Sequence, residues 1–148
     1  MMKTMSKITL IIGNKNYSSW SLRPWILFKY FAIPFQEVLI PLKQPDSKGK
    51  ILKYSPVGKV PILLHDKAVV WESLAICEYA AELFPEKGLW PADLALRARA
   101  RAVAGEMYSG FLGLRKQFPQ NISVDLAGKP SNQDADRDIK RVIEIWEE

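Results

Sequence analysis

Thiols and imidazoles are almost absent: the 148 residues include one cysteine, Cys77, and one histidine, His65. A disulfide within the chain needs a pair of cysteines, so none can form, and a reducing, cytoplasmic setting is expected. The same shortage excludes a CxxC redox pair and any metal site built from several His or Cys ligands. A Ser-His-Asp triad would have to use His65, which falls in "LLHDKAV", a stretch that reads as a turn. Long apolar runs are missing as well. The leading "MMKTMSKITLIIG" has too short an apolar core for a signal peptide, and nothing approaches the ~20 residues of a membrane span. No membrane partner is expected, and there are no repeats or low-complexity tracts.

Acidic residues are outnumbered, 16 against 21 basic ones, which leaves a formal charge of +5. The basic residues are dispersed, and the densest group, Arg97, Arg99 and Arg101, alternates with alanines. On a helix that spacing wraps around the surface and gives a solvated face, so no nucleic-acid stripe is expected. A small anion such as a peptide carboxylate needs only one or two such charges.

Apolar residues make up 48% of the chain and charged ones 25%, the balance of a globular protein. The β-branched run Ile8 to Ile12, closed by Gly13 and Asn14, predicts a buried strand. Leu22, Trp25, Ile26, Phe28 and Tyr30 predict a helix over 21–31. Phe35 to Ile40, bracketed by Pro34 and Pro41, predicts a second strand. "DSKGKILKYSP" predicts a short helix, and "VPILLHDKAVVWES" a hairpin of two strands. A helix from about Glu72 to Phe84 stops at Pro85. The order β-α-β-α-β-β-α therefore fills residues 1–85.

"PEKGLWPAD" marks a domain boundary. Beyond it, over 91–148, the pattern is all helical. Asp93 is placed to cap a long helix whose apolar stripe is Leu96, Ala100, Val103, Met107, Phe111, Leu114 and Phe118. After the polar connection "PQNISVDLAGKPSNQD", Ile139, Val142, Ile143 and Trp146 predict another amphipathic helix. Two helices offer little to bury their faces against, so this α domain reads as incomplete.

Three stretches carry candidate chemistry, and each has an ordinary reading beside it. In "NYSSWSLRPW" any of the serines can cap a helix. Taking Ser21 as the cap puts Pro24 in the first turn, where no intrahelical donor is lost, and leaves Ser18 and Ser19 in a loop facing a ligand. Pro61 in "GKVP" can simply open an edge strand. Glu72-Ser73 can be a plain helix start, but such a start also suits a carboxylate.

Taken in order, "SSWSLRPW", "SPVGKVPIL" and "VVWESLAICEYAAELFP" resemble a glutathione transferase over about residues 8 to 146. The fold implied is a thioredoxin-like α/β domain followed by an all-α domain. The "SSxSxR" pattern is most similar to the zeta class, which includes maleylacetoacetate isomerase, and to related bacterial transferases. The resemblance implies glutathione as co-substrate, a small electrophile as second substrate, no metal, a detoxifying role and a homodimer.

It also implies roles for residues. Ser18 donates a hydrogen bond to the glutathione sulfur, with Ser19 as helper. Val60 pairs its backbone with the cysteinyl unit ahead of a cis bond to Pro61. Lys59 reaches the glycyl carboxylate; Ser73 and Glu72 hold the γ-glutamyl carboxylate and ammonium. Lowering the thiol pKa by about two units needs ~2.7 kcal/mol, which one hydroxyl and a helix N-terminus can largely supply. Tyr108, Phe111, Leu112 and Arg115 are candidates for the electrophile wall, with Phe111 more readily a core residue.

One departure matters: zeta enzymes often have cysteine directly after the serine pair, and here Trp20 stands there. Disulfide exchange is thereby disfavoured, and Cys77 reads as a packing residue. Isomerisation and a non-catalytic interaction module remain as alternatives to conjugation.

Overall fold

The computed structural model describes residues 7–148; residues 1–6 of the leading stretch lie outside the described residues. The chain forms two compact units, Met1–Leu89 and Trp90–Glu148. Among the described residues no helix is long and apolar enough to cross a membrane.

The first unit contains β1 (Ile8–Ile12), α1 (Ser19–Tyr30), β2 (Gln36–Leu39), α2 (Ser47–Leu52), β3 (Ile62–His65), β4 (Ala68–Trp71) and α3 (Ser73–Leu83), followed by a 3-10 turn at Pro85–Lys87. The four strands form one mixed sheet in the order β2-β1-β3-β4, with β1 parallel to β2 and the other pairs antiparallel. This is the thioredoxin-like arrangement. β1 is central, and its side chains alternate between two cores, as strand geometry requires. Ile8, Leu10 and Ile12 pack with Phe28, Ile76, Ala80 and Phe84 of the α1 and α3 side, while Ile11 packs with Ile40, Ile51 and Ile62. Both faces of β1 are covered, which is why it reads as an unbroken apolar run rather than an alternating one. Each fully buried Ile or Leu here contributes roughly 1.5–3 kcal/mol.

Three local expectations are corrected in α1. Ser18, not Ser21, is the cap: its side chain accepts from the Ser21 N–H at 3.3 Å. Ser19 is consequently the first residue of the helix rather than a loop residue. Pro24 lies in the second turn, so the helix forgoes a bond to the Trp20 carbonyl. Pro24 is buried there, and the packing of α1 overrides the local preference.

The second unit contains α4 (Leu94–Ser109), α5 (Leu112–Gln117) and α6 (Gln133–Glu147). Asp93 caps α4, accepting from the Leu96 N–H at 2.8 Å. The continuous stripe expected through Phe118 is divided, however, and Leu96 is 60% exposed. The chain breaks at Gly110, which is extended, and Phe111, which has φ 59° and ψ 40°. A Cβ on Gly110 would sit 2.9 Å from the Glu106 carbonyl oxygen, so this close approach needs glycine. Tertiary bonds hold the break: Arg115 donates through Nε to the Gly110 carbonyl at 3.1 Å and through Nη2 to the Met107 carbonyl. Asp138 of α6 accepts from the Leu114 N–H at 2.9 Å, which supplies α5 with the cap it lacks locally. α6 starts before its apolar positions begin, because Asn132 caps it and Asp134 and Asp136 favour its positive end.

Candidate functional site

Sheet register assembles the site. Ile11 pairs with Ile62, and Ile62 with Trp71. The end of β1, the start of β3 and the end of β4 therefore lie at one edge of the sheet, within about 10 Å across three strands. The loop to Ser18, the Val60–Pro61 pair and the Glu72–Ser73 pair all leave from that edge. Both α1 and α3 begin there, so two sets of free helix N–H groups and two positive dipole ends serve the same region. Residues more than fifty positions apart in sequence are brought together in this way.

Ser18 is pinned from several directions. Its N–H donates to the Asn14 carbonyl at 2.8 Å, as does that of Tyr17 at 3.0 Å. The Asn14 side chain accepts from the Leu42 N–H at 2.7 Å, tying the loop to the segment after β2. The Ser18 hydroxyl lies 2.9 Å from the Ser21 hydroxyl, which in turn accepts from the Gly13 N–H at 3.0 Å. Ser18 is 9% exposed and Ser21 fully buried. Ser19 makes no side-chain hydrogen bond to any described residue and is half-buried.

The Val60–Pro61 bond is cis. Pro61 is buried, and Val60 packs against the core cluster of Ile11, Ile40, Ile51 and Ile62. Lys59 is exposed and pairs with no described residue.

The start of α3 differs from that of α1. Glu72 has φ 73° and ψ 130°, a backbone region that costs a non-glycine residue about 1–3 kcal/mol. Ser73 is only 2% exposed, and its hydroxyl has no hydrogen-bond partner among the described residues. An unsatisfied buried hydroxyl costs about 1–3 kcal/mol. Strain and an unmet hydroxyl on adjacent residues, at the positive end of an 11-residue helix, suit an anionic group supplied from outside.

Other candidates are not brought to this edge. His65 is the last residue of β3, before the hairpin turn, and not itself in the turn. It therefore lies at the opposite end of the strand, about 10 Å away. Its Nδ1 is 2.9 Å from the Tyr79 hydroxyl, so no triad with Ser18 is possible. Burial pushes the Cys77 thiol up to about 11, outweighing the pull of nearby Arg23, so it is protonated near neutrality. In the second unit Arg115 is engaged by backbone carbonyls, Phe111 is buried, Leu112 is 72% exposed and Tyr108 is half-buried. A cavity of about 460 Å³ lies beside the α4–α5 break. Within its lining Arg141 pairs with Glu106 at 2.7 Å and with Glu144 at 3.6 Å.

Residues 17–83 match the family model of the glutathione S-transferase N-terminal domain. The N-terminal unit therefore carries a glutathione S-transferase N-terminal domain. A probable maleylacetoacetate isomerase of Caenorhabditis elegans is 35% identical over 92 residues, covering 62% of this chain and 42% of that protein. Glutathione S-transferase 1 of Dianthus caryophyllus is 49% identical over 75 residues, covering 51% of this chain and 32% of that protein. A glutathione transferase homologue from Burkholderia, solved with bound glutathione, superposes with a TM-score of 0.63 at 29% identity. That superposition covers 75% of this chain and 61% of the Burkholderia chain. The chain thus spans less than half the length of these curated relatives. In this transferase-type unit, Ser21 buttresses the capping residue, a role the sequence did not suggest. The available signal was its place three residues after the cap, where a side chain can reach back to the capping residue.

Proposed function

We propose that the protein is a glutathione transferase that lowers the thiol pKa of glutathione and directs the thiolate at a small electrophile. The carrying observation is the unmet, buried Ser73 hydroxyl at the start of α3, on the same sheet edge as the capped start of α1. In this reading Ser73 and the α3 N-terminus hold the γ-glutamyl carboxylate, and Glu72 holds the neighbouring ammonium. Val60, ahead of Pro61, offers backbone groups to the cysteinyl unit, and Lys59 reaches the glycyl carboxylate. The sulfur then lies at the start of α1, where Ser18 donates a hydrogen bond and Ser19 is the adjacent helper. The thiol proton leaves to solvent and the thiolate attacks. Serine acts as a donor and not as a nucleophile, so no histidine base is needed. In this reading residues 1–85 form the glutathione-binding part. A cytoplasmic homodimer with a detoxifying role completes the reading, with no metal or nucleic acid involved.

Glutathione titration by calorimetry, joined to the pH-rate profile of Ser18→Ala, tests it. Binding in the native chain and an alkaline-shifted profile in the variant are expected. No binding at millimolar glutathione would instead indicate an interaction module, and an unchanged profile would remove Ser18 from the chemistry. A second reading, glutathione-dependent isomerisation, is favoured by the likeness to the C. elegans protein named a probable maleylacetoacetate isomerase. Turnover of a cis-dienone without net consumption of glutathione separates it from conjugation.

A further inference from the structure

Ser21 is fully buried in the first turn of α1. Its oxygen accepts from the Gly13 N–H at 3.0 Å and lies 2.9 Å from the Ser18 oxygen. A hydroxyl both donates and accepts, so the oxygen separation alone leaves the direction of that bond open. The surroundings decide it. Among the described residues the Ser18 oxygen is the one acceptor within reach of the Ser21 proton. If Ser18 donated inward, the Ser21 proton would be buried without an acceptor, an arrangement proteins avoid. With Ser21 as donor, the Ser18 oxygen receives both the Ser21 O–H and the Ser21 N–H, the latter at 3.3 Å. Both of its lone pairs are then occupied from the protein side, and its own proton must point away from them.

We propose that Ser21 is a positioning residue that turns the Ser18 proton outward, making Ser18 an obligate donor to the glutathione sulfur. This rests on the reading of Ser18 as the thiolate donor. The relay runs from the Gly13 N–H at the end of β1, through Ser21, to Ser18. It holds the donor ready before ligand arrives, so no hydroxyl reorientation accompanies thiolate formation. No proton is transferred along it; the thiol proton goes to solvent.

The test is a double-mutant cycle in the full chain, reading the thiol pKa of bound glutathione from thiolate ultraviolet absorbance, with Kd and Tm beside it. Ser21→Ala is expected to raise that pKa by about 0.5–1, roughly a 3- to 10-fold loss of thiolate at a fixed pH below it. Kd should change little. In a Ser18→Ala background, Ser21→Ala should raise the pKa no further, because its effect passes through Ser18. A Ser21→Cys variant, with its weaker donor, should fall between native and alanine, and it replaces Ser21→Ala in the cycle if the latter does not fold. A Ser21 effect that is absent, or that persists undiminished without Ser18, overturns the proposal while leaving Ser18 in place. No pKa change in Ser18→Ala itself overturns the underlying reading, and the proposal with it.

Discussion

Two helices begin at the same edge of the sheet, and they begin in opposite ways. At α1 the buried hydroxyls of Ser18 and Ser21 satisfy each other and the backbone N–H groups of Gly13 and Ser21. At α3 the buried Ser73 hydroxyl meets no partner among the described residues, and Glu72 sits at φ 73°. A self-satisfied helix start is stable without ligand and can present one donor in a fixed direction. A strained, unmet start is stabilised when something anionic arrives. In the proposed function the two starts take the two ends of one ligand: sulfur at the first, carboxylate at the second.

Four substitutions break or sharpen that contrast. Ser18→Ala should have the largest effect, lowering turnover near neutral pH by about 10²–10³-fold, as loss of one such preorganised donor does. It also removes the α1 cap, so the ligand-free protein should lose about 1 kcal/mol in denaturant unfolding. Ser73→Ala should weaken glutathione binding by roughly 10- to 100-fold, the worth of one hydrogen bond to a charged group, measured by calorimetry. Its ligand-free stability should hold or rise, since an unmet hydroxyl leaves the interior. Glu72→Gly should relieve the positive φ and raise ligand-free stability by about 1 kcal/mol while weakening binding.

Cys77→Ala should move least. The folded thiol is raised from 9.0 to about 11 by burial. A raised folded pKa means that stability is fully present below pH 9.0 and is lost as pH climbs toward about 11. The alanine variant should therefore flatten the alkaline fall in stability and leave the neutral pH-rate profile unchanged, as followed by unfolding at stepped pH. A shift of the neutral profile would bring Cys77 into the chemistry and weaken the case for a hydroxyl donor.

Much of the first unit is legible in the sequence because its signals are local. The apolar run of β1, the prolines around β2 and the stop at Pro85 each act within a few residues. The cap of α1 is not legible in the same way. Ser18, Ser19 and Ser21 all satisfy the local rule, and the choice turns on the Gly13 N–H, which only folding brings near Ser21. The α4–α5 break is hidden for a related reason. Its apolar spacing runs on unbroken through Phe111, while the break is held by Arg115 and by Asp138 from another helix. The site motifs themselves are visible as "SSWS", "GKVP" and "ES". Their shared edge follows from strand register, and the unmet state of Ser73 from burial, and neither is written in residue order.

Whether the two helix starts grip one molecule is decided by a crystal structure of the chain soaked with glutathione. The sulfur is expected within hydrogen-bonding distance of Ser18 Oγ, and the γ-glutamyl carboxylate on Ser73 Oγ and the α3 N–H groups. Glutathione bound with its carboxylate away from Ser73, or its sulfur beyond reach of Ser18, would contradict that grip.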